Sequence, residues 1–127
     1  MHVIQIALAQ APYAKALREA IRRERAFRGW KVLPVERPDP DKTGVIVVDA
    51  ETLDRLMLPV PNPERVVLIT RKDPEHLGRA WNAGIVSVVF DNEPVSTAML
   101  AILAARFRIP KKPEPVAKSP RSQRKAS

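Results

Sequence analysis

Two polar side chains occupy positions at which α/β sheets often bind ligands. Asp49 follows the apolar segment 45–48, and Thr70 follows the apolar segment 66–69. If both segments are parallel strands, their carboxyl ends meet at one crevice, where a carboxylate and a hydroxyl can contribute to a ligand site. Each residue also has a structural interpretation. Asp49 can cap a following helix through backbone N–H groups near Thr52, and Thr70 can be a solvated residue at the end of a strand.

The remaining residues offer few groups for catalysis. Cysteine is absent, which excludes disulfides, thiol nucleophiles and cysteine-bound metals, and the four glycines are too isolated to form a phosphate-binding loop. Of the two histidines, His2 is terminal and His76 fits a solvated helix surface. No serine fits a nucleophile elbow. We therefore expect a non-enzymatic protein without a metal or another cofactor.

The charge is unevenly distributed along a chain of 127 residues, which is the length of one domain. The net charge is +8, and residues 109–127 contribute +5 of it through six bases and one acid. This tail contains too few apolar residues to offset its ordering entropy, so we predict a folded domain over 1–108 and a disordered basic tail over 109–127. The N-terminal segment resembles a strand rather than a signal peptide, and no apolar run approaches the ~20 residues that span a bilayer. We expect a cytoplasmic protein without membrane contact.

Short apolar runs alternate with helical patterns. The apolar runs, rich in β-branched residues, are 3–8, 30–36, 45–48, 66–69 and 85–90, and the helical patterns are 12–28, 51–58, 73–83 and 93–107. This alternation predicts an open, doubly wound α/β sheet whose second strand, which contains Pro34, lies at an edge. The connection 37–44 is too short for a helix. We favour a crossover there, with a hairpin as the alternative.

The segment VIVVDA, followed by RVVLITRKDPEHLGRAWNAGIVSVVFDNEPVSTAMLAILAARF, resembles the second half of response-regulator receiver domains. In that family the third strand ends in the phosphoacceptor aspartate and the fourth ends in threonine or serine. Ala-Gly follows the fourth helix. The resemblance covers 2–108 in the order of elements and 45–108 in detail. It implies a flavodoxin-like (CheY-like) five-stranded parallel sheet with the second helix missing and the third shortened, and it places Asp49 as phosphoacceptor and Thr70 as switch hydroxyl.

Several positions depart from the family pattern. Ala9 and Gln10 stand where the family has its Mg²⁺-binding acidic pair, Asp91 stands near the family lysine, and Val88 stands near the aromatic switch residue. Phosphoryl transfer to a carboxylate depends on cations that neutralise the phosphoryl oxygens, and Asp91 adds repulsion instead. We therefore expect a degenerate receiver-like domain in which Asp49 is not phosphorylated by the standard Mg²⁺-dependent route. An atypical phosphoacceptor that uses Asp49 with unusual ligands is an alternative.

The leading functional hypothesis is an interaction module. In receivers the fourth helix, fifth strand and last helix often form the partner or dimer face, which corresponds here to residues 75–107. We expect this face to bind another protein or a second copy of the chain, because large aromatic residues favour interfaces. The candidate contact residues are Trp81, Val88, Phe90, Met99 and Phe107.

A nucleic-acid-associated protein is the second hypothesis. The first helix and its flanks carry seven bases against Glu19 and Glu24. The bases are Lys15, Arg18, Arg22, Arg23, Arg25, Arg28 and Lys31. A solvated helix face is the favoured interpretation of this pattern. The tail can bind phosphates electrostatically, but it has no aromatic residue for base stacking, so we expect at most a weak contact from it.

Overall fold

The computed structural model describes residues 2–55 and 62–108, and this part of the chain forms five strands and four α-helices. The strands are β1 (Val3–Ala7), β2 (Lys31–Pro34), β3 (Gly44–Asp49), β4 (Val66–Thr70) and β5 (Ser87–Phe90). The helices are α1 (Ala11–Arg23), α2 (Ala50–Arg55), α3 (Pro74–Asn82) and α4 (Val95–Phe107). Two short 3-10 turns, Arg25–Phe27 and Pro63–Arg65, precede β2 and β4. The predicted tail, residues 109–127, lies outside the described residues.

The five strands form one parallel sheet in the order β2-β1-β3-β4-β5. This is the flavodoxin-like, doubly wound order, and the predicted fold class is confirmed. Pro34 lies on the edge strand β2, as expected from its missing N–H group. Val3 of β1 pairs with Lys31 on one side and with Gly44 on the other. The segment 37–44 is therefore a crossover and not a hairpin.

Both faces of the sheet are buried, which explains the continuous apolar runs. On one face, residues such as Ile6, Val47 and Val67 pack with Leu17 of α1 and Ile102 of α4. On the opposite face, the core is completed by residues of α2 and α3. Its members include Val48, Leu53, Leu68, Ala80 and Ile85. Full burial of one such valine, leucine or isoleucine side chain contributes about 1.5–3 kcal/mol. None of the described helices is long and apolar enough to cross a membrane.

The first helix ends earlier than the sequence pattern predicted. α1 stops at Arg23 because Glu24 is extended and its carboxylate accepts the Ala26 N–H, which starts a separate 3-10 turn. Helix α3 begins where the sequence pattern predicted it: the Asp73 carboxylate accepts the Glu75 N–H, and a proline lies in the first turn. The predicted helix 51–58 is described only to Arg55, and residues 56–58 lie outside the described part of the chain.

No helix connects β2 to β3, so the crossover obtains its hydrogen bonds from buried side chains. Gln5 of β1 is buried, and its amide donates to the Asp39 carbonyl at 3.0 Å and accepts the Asp39 N–H at 2.7 Å. This reciprocal pair satisfies both backbone groups of one crossover residue. Strand β1 thereby holds the segment that replaces the missing second helix.

Arg65 holds the same crossover from the other side. This side chain is only 6% exposed, and its guanidinium donates to the carbonyl oxygens of Lys42, of Pro40 at 2.8 Å and of Gly44 at 3.2 Å. Burial lowers the pKa of Arg65, whereas the negative charges of Glu64 and Asp39 oppose that shift. An arginine side chain remains charged in a protein even when it is buried. The three carbonyl dipoles therefore solvate a buried cation.

Gly44 fixes the position at which the crossover enters β3. Its φ angle is +123°, and a Cβ atom there would lie 1.9 Å from the carbonyl oxygen of Val3. No side chain fits at this distance, so the close approach of β3 to β1 requires glycine.

Candidate functional site

The carboxyl ends of β1, β3 and β5 surround a small cleft of about 60 Å³. Asp49, Gln10 and Asp91 line it together with Tyr13 and two apolar residues, Leu8 and Ile69. The structure therefore brings together three of the residues that the sequence singled out. At ~30 Å³ per liquid water, the cleft has room for about two water molecules.

The Asp49 carboxylate makes hydrogen bonds through both of its oxygens. Oδ2 accepts the Ala9 N–H at 2.8 Å, and Oδ1 accepts the Thr52 N–H at 2.8 Å. The second bond is the helix cap anticipated from the sequence, and the first connects β3 to the loop after β1. Asp49 therefore has a structural role, and a phosphoryl group on either oxygen would weaken one of these bonds.

Thr70 does not line this cleft. Side chains alternate along β4, and because Ile69 faces α1 and α4, Thr70 faces α3 on the other side of the sheet. Its buried hydroxyl lies 3.5 Å from His76 Nδ1, which lies 3.8 Å from Asp73 Oδ2. A catalytic relay needs the hydroxyl and the carboxylate at opposite ring nitrogens. Both contact Nδ1 here, so the arrangement joins β4 to α3 and is not a relay.

Among the described residues that line the cleft, Asp49 and Asp91 are negatively charged and none is a cation. Ala9 contributes a backbone N–H and Gln10 an uncharged amide where a receiver would present two carboxylates. The Tyr13 hydroxyl has no hydrogen-bond partner among the described residues. Burial raises the pKa of Tyr13 above its ordinary value of 10.0, and the charges of Glu93 and Asp91 raise it further.

The donor set does not fit the Mg²⁺ site that the family resemblance implies. Mg²⁺ needs several hard oxygen ligands in near-octahedral geometry. Asp49 and Asp91 supply the carboxylates of the cleft, and both oxygens of Asp49 already accept backbone N–H groups. Within residues 2–55 and 62–108, no group of three or more histidine or acidic side chains is placed to hold a metal ion.

A larger cleft of about 500 Å³ adjoins the ends of β1 and β2, and the sequence did not predict it. It is open to solvent and has a mixed charge, with Glu36, Arg37, Glu51 and Arg55 on its walls. The nearest signal in the sequence was the short connection 37–44, which contains no helix to cover this end of the sheet. The charges on its walls do not select one class of ligand.

The predicted partner-binding residues differ widely in exposure. Trp81 is 79% exposed and Phe107 is 76% exposed, while Val88 and Phe90 of β5 are half-buried. Met99 is a correction, because it is only 9% exposed and packs in the core between α4 and the sheet. Sequence reasoning also missed two exposed apolar residues, Leu100 and Val86.

The outward side of α4 is apolar, in contrast to the outward side of α1. Ser96, Leu100, Ala104 and Phe107 are exposed along α4 and lie on one side at helical spacing, so this side is apolar from Leu100 onward. Arg106 is the only charged residue of this helix, whereas the exposed positions of α1 include lysine, glutamate and arginine. A helix that is apolar on all sides is normally buried on all sides. The outward side of α4 is therefore the most unusual surface of the described helices.

Comparisons with known proteins establish the fold. Neither a protein-family model nor a curated protein matches the chain. Among solved structures, a response regulator receiver domain from Rhodospirillum rubrum matches with 16% identity and a TM-score of 0.60, covering 88% of this chain and 97% of that one. A response regulator receiver domain protein from Clostridium thermocellum matches with 14% identity and a TM-score of 0.56, covering 85% and 96%. The chain therefore has the fold of a receiver domain.

Proposed function

We propose that this protein is a receiver-fold signalling or interaction module that acts by binding another protein, or a second copy of itself, through the face formed by α3, β5 and α4. In this proposal it works without standard Mg²⁺-dependent phosphorylation of Asp49. The observation that carries the proposal is the apolar outward side of α4, which water contacts in the isolated chain.

The chemistry of the cleft supports the second half of this proposal. Both oxygens of Asp49 accept backbone N–H groups, and Asp91 places a negative charge where receivers place a lysine. A phosphoryl group that approached Asp49 would meet repulsion without a compensating cation. The site is therefore better suited to holding α2 and the β1–α1 loop than to phosphoryl transfer.

The exposed apolar residues support the first half. Ala80 of α3 is buried against the sheet, and the residues before and after it project to opposite sides of the helix. Arg79 contacts Asp54 of α2. Trp81 therefore projects from the side of α3 that is nearer β5. Val86 is also exposed and directly precedes β5. Large aromatic residues that contribute most to binding are typically found at the centre of interfaces. Together with Leu100 and Phe107, these residues give the proposed face its contacts.

The binding half is tested with one substitution and a matched control. Leu100→Lys adds a charge to the outward side of α4, and Ala16→Lys adds the same charge to the exposed side of α1. If a second copy is the partner, sedimentation equilibrium finds a dimer for the wild type and for Ala16→Lys, and a monomer for Leu100→Lys. If another protein is the partner, a photo-cross-linker at position 100 yields one discrete adduct in extracts of the source cells, and the same probe at position 16 yields none. A monomer without an adduct at position 100 refutes the proposal.

The phosphorylation half is tested by incubating the protein with Mg²⁺ and acetyl phosphate and measuring its intact mass. We expect no stoichiometric acyl phosphate. Detection of that adduct on Asp49, and its absence from Asp49→Asn, would support the atypical phosphoacceptor instead.

A further inference from the structure

Four arginines surround a cleft next to the C-terminal end of α1. The cleft has a volume of about 300 Å³, and its floor includes the buried residues Ile21 and Phe27. The arginines on its walls are all exposed, and they are Arg22, Arg23, Arg25 and Arg28. We refer to this feature as the arginine cleft. A concave surface with a low-dielectric floor and an excess of one sign of charge strengthens the local field.

These arginines have no acidic partners in the described part of the chain. The ion pairs found there lie on α3 or between α2 and α3, and they involve Arg79 and His76. Glu24 lines the arginine cleft, but its carboxylate accepts the Ala26 N–H. Four arginines against the single carboxylate of Glu24 leave the described lining of the arginine cleft with an excess of three positive charges, and none of these arginines forms an ion pair there.

The helix dipole explains only part of this cluster. Arg22 and Arg23 lie in the last turn of α1, where cations interact favourably with the negative end of the dipole. Arg25 and Arg28 lie beyond the helix, in and after the 3-10 turn. Their positions add charge where no helix end requires it, so a solvated helix terminus does not account for the arginine cleft.

The topology places Arg108, the last described residue, at the end of the molecule that carries the arginine cleft. α1 starts at the carboxyl end of the sheet and returns about 20 Å over its 13 residues, and Lys31 follows at the amino end beside Val3. α4 makes the same return, so that Arg108 contacts Ser87 Oγ and the Glu64 carbonyl at the amino ends of β5 and β4. The chain from 109 onward, with six bases and one acid, therefore starts from the end that carries the arginine cleft.

Contacts between side chains also connect α4 to the arginine cleft. The guanidinium of Arg106 lies 5.8 Å from the centre of the Trp30 ring, and Trp30 lines the arginine cleft. The same ring contacts His2 and the edge of Phe27. Trp30 is thus packed among neighbours and is not a free platform for a base.

We propose that the arginine cleft binds the phosphodiester backbone of a nucleic acid. Guanidinium groups donate two parallel hydrogen bonds to a phosphate, and successive phosphates of a nucleic-acid backbone can contact several arginines of one concave wall. A bilayer surface is flat and binds proteins that insert apolar side chains, whereas the apolar residues of the arginine cleft form its floor. Because the proposed contacts are made to phosphates and not to base edges, we expect binding to be independent of base sequence.

The experiment measures binding of a mixed-sequence DNA duplex to the full chain by fluorescence anisotropy at several salt concentrations. The test variant is Arg22→Gln with Arg25→Gln. The matched control is Arg37→Gln with Arg71→Gln, which removes the same charge from exposed positions at the carboxyl end of the sheet. A third variant replaces the six tail bases by glutamine and keeps the chain length. Vesicles containing phosphatidylserine provide the membrane comparison.

We expect the wild type to bind the duplex with a steep dependence on salt. The test variant loses about tenfold or more in affinity at low salt, and its salt slope falls by about 2, since each phosphate contact contributes ~0.9. The control changes affinity less than about threefold by the same reasoning, and the tail variant retains measurable binding. Equal losses in test and control variants overturn the proposal, as does a test variant that binds like the wild type. Binding to vesicles without binding to the duplex also overturns it.

Discussion

Removal of the Arg65 guanidinium should detach the crossover between β2 and β3. Arg65→Leu removes three hydrogen bonds to backbone carbonyls, of which the one to Gly44 is buried and the other two are partly buried. A hydrogen bond to a charged group contributes about 1.5–3 kcal/mol. The variant also no longer has to bury a cation, and this gain offsets part of the lost hydrogen-bond energy. Water can reach the Pro40 and Lys42 carbonyls and replace part of the two bonds made there. We expect a net loss of about 2–3 kcal/mol.

Urea denaturation followed by circular dichroism measures this loss. With a slope of ~1–3 kcal/mol per molar urea, the midpoint should fall by roughly 1–2 M. Arg55→Leu makes the same substitution at an exposed position and should shift stability by less than about 0.5 kcal/mol. Hydrogen exchange should speed up at the amides of Asp39 and of residues 41–44, while β4 and β5 remain protected. If Arg65→Leu has the same midpoint as Arg55→Leu, the crossover is not held by this side chain and the reasoning fails.

Three further predictions concern other positions. Gly44→Ala should cost at least about 3 kcal/mol because its Cβ would overlap the Val3 carbonyl; a urea midpoint within error of the wild type would contradict this. Asp49→Ala should cost about 2 kcal/mol by the same assay, since it removes the α2 cap and the bond to Ala9, and an unchanged midpoint would show that the cap is not stabilising. The single tyrosine, Tyr13, allows a direct ultraviolet titration, in which the phenolate should form above pH 10.0 in the folded protein and at the ordinary value in urea. Because the pKa of Tyr13 is higher in the folded protein than in the unfolded one, the contribution of Tyr13 to the free energy of unfolding is complete below pH 10.0. It is lost as the pH rises through the pKa of the folded protein, and Tyr13→Phe should remove this pH dependence of stability.

The sequence determined the sheet well because its evidence is local. Runs such as 45–48 and 66–69 are continuously apolar, and only strands buried on both faces need that pattern. The end of α1 was predicted too late, because the helical pattern 12–28 continues through the separate 3-10 turn that the Glu24 cap starts. The two interpretations of Asp49 left open by the sequence were the cap and the ligand site, and the structure places its carboxylate in both the cap and the cleft.

The remaining features depend on partners far apart in the chain. Arg65 contacts carbonyls 21 to 25 residues earlier. Every residue has a backbone carbonyl, so the residue types do not indicate which carbonyls Arg65 contacts. Met99 and Leu100 illustrate a different limit. In a helix that is apolar on all sides, the spacing of apolar residues cannot tell which side faces the sheet. Met99 was therefore predicted as a contact residue although it is buried, and the exposed Leu100 was missed.

Arg106 connects the two surfaces proposed for binding. Its guanidinium lies 5.8 Å from the centre of the Trp30 ring, beside the arginine cleft, and 5.6 Å from the centre of the Phe107 ring, on the apolar side of α4. A phosphate that attracted Arg106 would draw it from the Phe107 ring, so the two surfaces need not be independent. A substitution of Arg106 would therefore alter both the arginine cleft and the apolar side of α4, and it could not distinguish nucleic-acid binding from protein binding. The variants at Arg22 with Arg25 and at Leu100 avoid this residue, and for that reason protein binding and nucleic-acid binding can each fail without the other.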